Sequence, residues 1–284
     1  MNFYYLPSRR CVILWSQKCA CTAIARWIKK SFHEAKNCQK GLSARTYLAA
    51  NGYNFKDLDN LNALTDPQLG GVKHAIVSYR DPISRITSSF VNKFHVYETR
   101  TIFNGDKRMQ GFSYNFARKL AKDQRKNQNI KRQTGDFSLK EMINYLHKRQ
   151  HKLDEINPHF TPQIYRPSHL EAIQSLRAKH IKLHPLQVER LTDDLKIINK
   201  KLSLKYTPPH FNSTEKPGDD WSFSDHPELT QMPISELFKQ KLIPKSGALR
   251  SCLATDMDLQ KKVYELFHYD SQLMSFMTTQ RRGT

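Results

Sequence analysis

Residues Ser16 to Thr22, SQKCACT, combine one lysine with small side chains and follow a short apolar run, Cys11 to Trp15. β-Branched and aromatic residues in that run predict a buried strand. From Thr22 to Phe32 the period changes: Ile24, Trp27, Ile28 and Phe32 recur at helical spacing, with Arg26, Lys29 and Lys30 between them. A strand that feeds a tight loop and then a helix aims backbone N–H groups and the positive end of the helix dipole at one point. Thr22 is the expected N-cap, and Lys18 adds a full charge. The chemistry open to such a loop is the binding of a phosphate or similar anion. The alternative is an ordinary βα turn with a solvated lysine.

A second stretch repeats the arrangement. Lys73 to Tyr79, KHAIVSY, reads as a buried strand, and Arg80-Asp81-Pro82 follows at once. Asp81 suits a helix cap and Pro82 a first turn. The helix from Ile83 to Phe94 is expected to bury Ile83, Ile86, Phe90 and Phe94, with Ser84, Arg85, Ser88 and Ser89 at its sides. Lys18, Cys19, Ala20, Cys21 and Thr22 thus suit one phosphate end of a nucleotide, and Arg80 with Ser88 suits another. A ligand with two separated phosphate groups would use both. Two strand–loop–helix units predict an α/β fold with parallel strands, covering helices and a ligand at the strands' carboxyl ends.

The remaining elements must position these loops. The chain has 284 residues, 38% hydrophobic, and a formal charge of +20. Its mean hydropathy of −0.68 points to long polar insertions. The charge predicts a polyanionic partner, whether nucleotide, nucleic acid or acidic glycan. Five cysteines without framework spacing are expected to be reduced thiols. Cys19 and Cys21 lack a second Cys/His pair, so no metal site is expected. There is no signal-peptide core and no apolar run of roughly 20 residues, so no transmembrane segment is expected and the cytoplasm is the expected location.

Residues 99–136 are polar and strongly basic with scattered aromatics, and are expected to form a basic insertion or lid. Ser138 to Gln150 is a helix opened by a Ser138–Glu141 capping box. Three prolines make Asp154 to Pro167 a loop, Pro185 makes His180 to Leu186 an edge or terminal strand, and 206–228 is a long surface loop. Without repeats or low-complexity tracts, residues 1–284 read as a single domain with insertions.

The motifs resemble one family. QKCACTAIARWI resembles the 5′-phosphosulfate loop of PAPS-dependent sulfotransferases, in particular the carbohydrate branch (sulfotransferase family 2-like), with Lys18, Ala20, Cys21 and Thr22 matching and Gln17 in place of the usual proline. AIVSYRDPISRITSSFVNKF resembles the 3′-phosphate motif, with Arg80, Asp81, Pro82, Arg85, Ser88 and Phe90 in register. NPHFTPQ is similar to the family's H-W-x-P-Q segment, Phe160 replacing tryptophan, and VYELFHYDSQLMSF resembles its closing Y-x-x-D-x-x-x-F pattern.

The resemblance implies a P-loop-like fold, a central parallel sheet flanked by helices, and sulfuryl transfer from PAPS to a hydroxyl of a glycan or glycoconjugate acceptor, acidic ones included, with PAP as product and no metal required. It implies that Lys18 is catalytic and that Lys18, Cys19, Ala20, Cys21, Thr22, Arg80 and Ser88 bind the donor. Arg85 is expected to be structural. A hydroxyl acceptor needs a base, and the candidates are His159, His74, His95 and Glu34, with His159 first because it lies in a matching segment. The rival readings are a P-loop-like small-molecule kinase, which would want G-x-x-x-x-G-K-[ST], and a non-enzymatic nucleic-acid-binding protein. No signature of specific nucleic-acid binding is present.

Overall fold

The computed structural model describes residues 1–39, 42–55, 58, 61, 71–95, 111–128, 135–206 and 220–282. The chain divides into two compact units. Met1–Asp81, Gln163–Phe211 and Tyr269–Thr284 form the first, and Pro82–Pro162 with Asn212–His268 the second.

The first unit is built on a five-stranded sheet of β1 (Asn2–Leu6), β2 (Cys11–Trp15), β3 (Asn54–Phe55), β4 (His74–Tyr79) and β5 (Lys182–Gln187), in the order β3-β1-β2-β4-β5. β2, β4 and β5 are mutually parallel, while β1 is antiparallel to β2 and to β3. Every residue of β2 is buried, because both faces of the sheet are covered. Val12 and Leu14 pack with Ala75, Val77 and the helix Pro167–Ala178 on one face. Ile13 and Trp15 pack with Ile24, Trp27 and Ile28 of the helix Cys21–Ser31 on the other. Trp27 is fully enclosed, and its Nε1 donates to Asn199 Oδ1 at 2.9 Å, which satisfies its own indole donor.

The α/β class with a central, mostly parallel sheet and flanking helices is therefore the observed one. β1 was not legible as a strand. It joins β2 through the short turn Pro7–Arg9, and such a connection permits only an antiparallel pair. Pro185 falls within β5, opposite Val77, and is tolerated there because β5 is the outer strand.

The second unit is largely helical. Its core gathers Ile86 and Phe90 of the helix Pro82–Phe90, Phe116 and Leu120 of Gly111–Gln128, and Met142 and Leu146 of Leu139–Lys148. The expected capping box is present at Ser138 and Glu141. Within the segment 99–136, Gly111–Gln128 is an 18-residue helix that buries Phe116, Ala117 and Leu120 and exposes Lys119, Lys122, Arg125 and Lys126. Residues 99–110 and 129–134 lie outside the described residues, as do 207–219 of the loop 206–228. Ser222–Ser224 from that loop pairs in parallel with Leu242–Pro244. No helix among the described residues is long and apolar enough to cross a membrane.

Candidate active site

β2 and β4 are neighbouring parallel strands, so the loops leaving their carboxyl ends are held side by side. The loop after β2 is wound by two residues in the left-handed region, Lys18 (φ 65) and Ala20 (φ 57). The helix begins at Cys21, with Ala20 in the N-cap position and no side-chain cap. Thr22 is therefore an exposed residue inside the first turn, not the cap. The left-handed winding explains the difference, since it turns the chain into the helix without side-chain help. Backbone N–H groups gathered in this way form a concave anion nest, backed by the helix dipole. The donor set fits a phosphate group.

Arg80, the first residue after β4, joins the two loops. Its Nη1 donates to the Lys18 carbonyl at 3.2 Å, and its Nε pairs with Glu189 Oε1 at 3.2 Å. Glu189 stands just after β5, so three parallel strands deliver residues to this edge. The first unit thus brings together Lys18, Cys19, Ala20, Cys21, Thr22 and Arg80.

Gln163 secures the loop from beneath. The buried Cys19 thiol donates to Gln163 Oε1 at 2.9 Å, and Gln163 Nε2 donates to the Ser78 carbonyl at 2.7 Å. The Asp270 carboxylate in turn accepts from the backbone N–H of Gln163 at 2.9 Å and of Ile164 at 2.7 Å. Gln163 and Asp270 lie in the two segments, NPHFTPQ and VYELFHYDSQLMSF, that were legible as motifs but had no role until their contacts were known. Glu189 carried no signal, since an acidic residue near a helix start is ordinary. Asp194 stabilises the end of β5 by accepting from Gln187 N at 2.7 Å and from Arg281 Nη2 at 2.5 Å. Burial nevertheless pushes its carboxyl above the usual range.

Ser88 and His159 lie in the second unit. Eight of the nine residues of Pro82–Phe90 are buried and Ser88 is the exception. Ser84, Arg85 and Ser89, expected at the helix sides, are enclosed. Ser89 Oγ donates to the His159 carbonyl at 2.7 Å, and the Arg85 guanidinium donates to the carbonyls of Pro158 and Thr161 at 2.9–3.1 Å. Arg85 is thus structural, as expected, and what it supports is the loop carrying His159. The His159 ring stacks on Phe112 with centroids 4.4 Å apart and planes 6° from parallel. Asn157 Oδ1 accepts from His159 N at 3.1 Å and contacts Nδ1 at 2.6 Å. An oxygen that already accepts one N–H takes a second, so the ring proton sits on Nδ1 and the lone pair on Nε2.

Two other base candidates are displaced. His74 opens β4, about 17 Å from its carboxyl end at a strand's ordinary rise. Glu34 is buried and accepts from Ser8 N at 2.6 Å and Ser8 Oγ at 2.8 Å, in the turn at the amino end of β2. The side chain of His95 lies outside the described residues. All five cysteines are free thiols, and burial pushes the Cys11 thiol far up, so it is inert.

No curated protein and no solved structure matches the chain. A model of the Sulfotransferase family matches residues 3–276. That span takes in the Lys18 loop, Arg80, the helix bearing Ser88, the Gln163 segment and Asp270. By a match over nearly its whole length, the chain belongs to the sulfotransferase family.

Proposed function

We propose that the protein transfers the sulfuryl group of PAPS to a hydroxyl of a carbohydrate-type acceptor. The observation that carries this reading is the Arg80–Lys18 contact, which sets a fork donor against a nest with an uncapped helix start. In this reading the backbone N–H groups of Ala20 to Thr22, with the Thr22 hydroxyl, hold the 5′-phosphate, while the Cys19 N–H donates to the Ser16 carbonyl at 3.2 Å and closes the turn. Arg80, which has no bond to Nη2 among the described residues, and Ser88 hold the 3′-phosphate. That group separates PAPS from ATP-like nucleotides, and a planar guanidinium suits it.

Sulfuryl transfer, like phosphoryl transfer, asks the protein mainly to align the groups and neutralise charge. Lys18 stabilises charge developing on the oxygen that leaves as the S–O bond breaks. His159 Nε2 takes the proton of the acceptor hydroxyl as its oxygen bonds to sulfur. Asn157 supports that role by fixing the tautomer, and Phe112 by holding the ring plane. The net charge of +20 and the likeness to the carbohydrate branch support a glycan acceptor, and the charge favours an acidic one. Free thiols throughout support a cytoplasmic location.

The test is a thermal shift with PAP against ADP, followed by an acceptor screen with labelled PAPS. PAP is expected to raise Tm well above the shift given by ADP, because only PAP carries the 3′-phosphate. Equal shifts would remove the assigned role of Arg80 and Ser88, and ATP–Mg²⁺ outperforming PAP would favour a kinase.

A further inference from the structure

At the opposite edge of the sheet, beside the amino ends of β4 and β5, lies a cavity of about 680 Å³. Its lining is cationic. Lys182 enters from β5, Arg177 from the last turn of Pro167–Ala178, and Lys201 from the last turn of Leu191–Leu202. All three are exposed, and none forms an ion pair among the described residues. Between them His74 Nδ1 meets His184 Nε2 at 3.0 Å, and His184 is only 3% exposed. We propose that this cavity is a second anion-binding site, one that takes a sulfate or phosphate monoester group apart from the Lys18–Arg80 loops.

A helix carboxyl end accounts for Arg177 and Lys201 one at a time. It does not account for their convergence with Lys182 on a partly buried imidazole pair. Like charges gathered without a counter-charge repel, and an anion seated among them relieves that repulsion. The imidazole pair adds a proton-linked response. One proton between the facing nitrogens makes the hydrogen bond, the acceptor ring holds its own on its outer nitrogen, and a third, on the donor ring's outer nitrogen, adds one positive charge without breaking it. Without an anion, burial and the neighbouring Lys73, Lys182 and Lys201 keep both rings neutral. From the elements packed around the pair, the facing charged groups are Arg177, Lys201, Lys182 and Lys73, with neutral Gln280 from the C-terminal helix. A bound anion opposes those cations and favours protonation, so affinity rises as pH falls.

The experiment uses the full chain and needs no transferase activity, so it stands or falls apart from the proposed reaction. Imidazole Cε1–H resonances are followed by NMR during titration with inorganic sulfate, inorganic phosphate and a monosaccharide sulfate. The resonances are assigned with H74Q and H184Q. The expected result is a saturable shift of the His74 and His184 signals with a Kd on the order of 1 mM, tighter at pH 6 than at pH 7.5 (about the range of histidine titration). The exposed charges make R177Q/K182Q/K201Q a variant that keeps the fold, and it should weaken binding at least roughly tenfold. Tighter binding of the monosaccharide sulfate than of the inorganic ions identifies a sulfated sugar as the source, and equal binding identifies the free ion. Shifts that grow without saturating, or the same Kd in variant and wild type, overturn the proposal.

Discussion

Asp270→Asn isolates the support beneath the Lys18 loop. Asp270 is 2% exposed and its two oxygens accept separately from Gln163 N and Ile164 N. An asparagine keeps one acceptor and turns an NH₂ toward the other backbone N–H. One charge-assisted hydrogen bond is lost, worth about 1.5–3 kcal/mol, and the surviving bond loses its charge. The buried donor left facing another donor adds a desolvation cost of similar size, moderated by local relaxation. A destabilisation of about 2–4 kcal/mol follows, which for a chain of this length lowers Tm by about 3–7 °C. The same change should reach the ligand loop. Gln163 would no longer be held at its backbone, and its side chain is what fixes Cys19 and the end of β4. PAP affinity is therefore expected to fall about tenfold at a temperature where the variant is still fully folded, because the nest must be ordered on binding. The assay pairs thermal unfolding with calorimetric titration of PAP. An unchanged Tm would refute the buried-carboxylate argument. A lowered Tm with wild-type PAP affinity would refute the link from Asp270 through Gln163 to the Lys18 loop.

Lys18→Ala should reduce turnover by at least about a hundredfold while PAP affinity changes little, since the charge it meets develops mainly in the transition state; undiminished consumption of labelled PAPS would make Lys18 a loop residue only. His159→Ala should abolish transfer with PAP binding intact, and Asn157→Leu should lower kcat about tenfold or more by freeing the tautomer; near-normal transfer by His159→Ala would move the base elsewhere. Burial lowers the His184 pKa to about 4, with His74 lowered as well. For a lowered histidine the unfolded chain takes up the proton first, so stability is complete above about pH 6.5 and is lost as pH falls from 6.5 toward 4. The loss should reach about 3 kcal/mol from His184, seen as a falling urea midpoint. His184→Gln should flatten that limb, and an unchanged limb would assign the acid sensitivity to other groups.

By itself the sequence determined the strands Cys11–Trp15 and His74–Tyr79 and the place of the loops that leave them. Cys11–Trp15 and His74–Tyr79 are apolar runs too short for helices, and each passes directly into a helical period, a local signal that needs no knowledge of the rest of the chain. The Ser138–Glu141 capping box was legible for the same reason, because its partners are three residues apart. The tertiary structure decided whatever depends on sequence-distant partners. Thr22 was read as a cap because threonine favours that position, yet left-handed Lys18 and Ala20 complete the turn, and backbone conformation outside glycine leaves little trace in composition. His74 and Glu34 have the right chemistry for a base, and only the direction of the strands places them at the far edge of the sheet. Arg85 read as a side-facing cation; the helix is enclosed all round, so its guanidinium instead satisfies the carbonyls of Pro158 and Thr161, more than seventy residues on. Gln163 and Asp270 are separated from each other by 107 positions and from Cys19 by more, and they act as a unit only because folding makes them neighbours. A hydrogen bond between distant residues leaves no periodicity in either segment, so the residues that hold the loop were visible as letters, while their function required the fold.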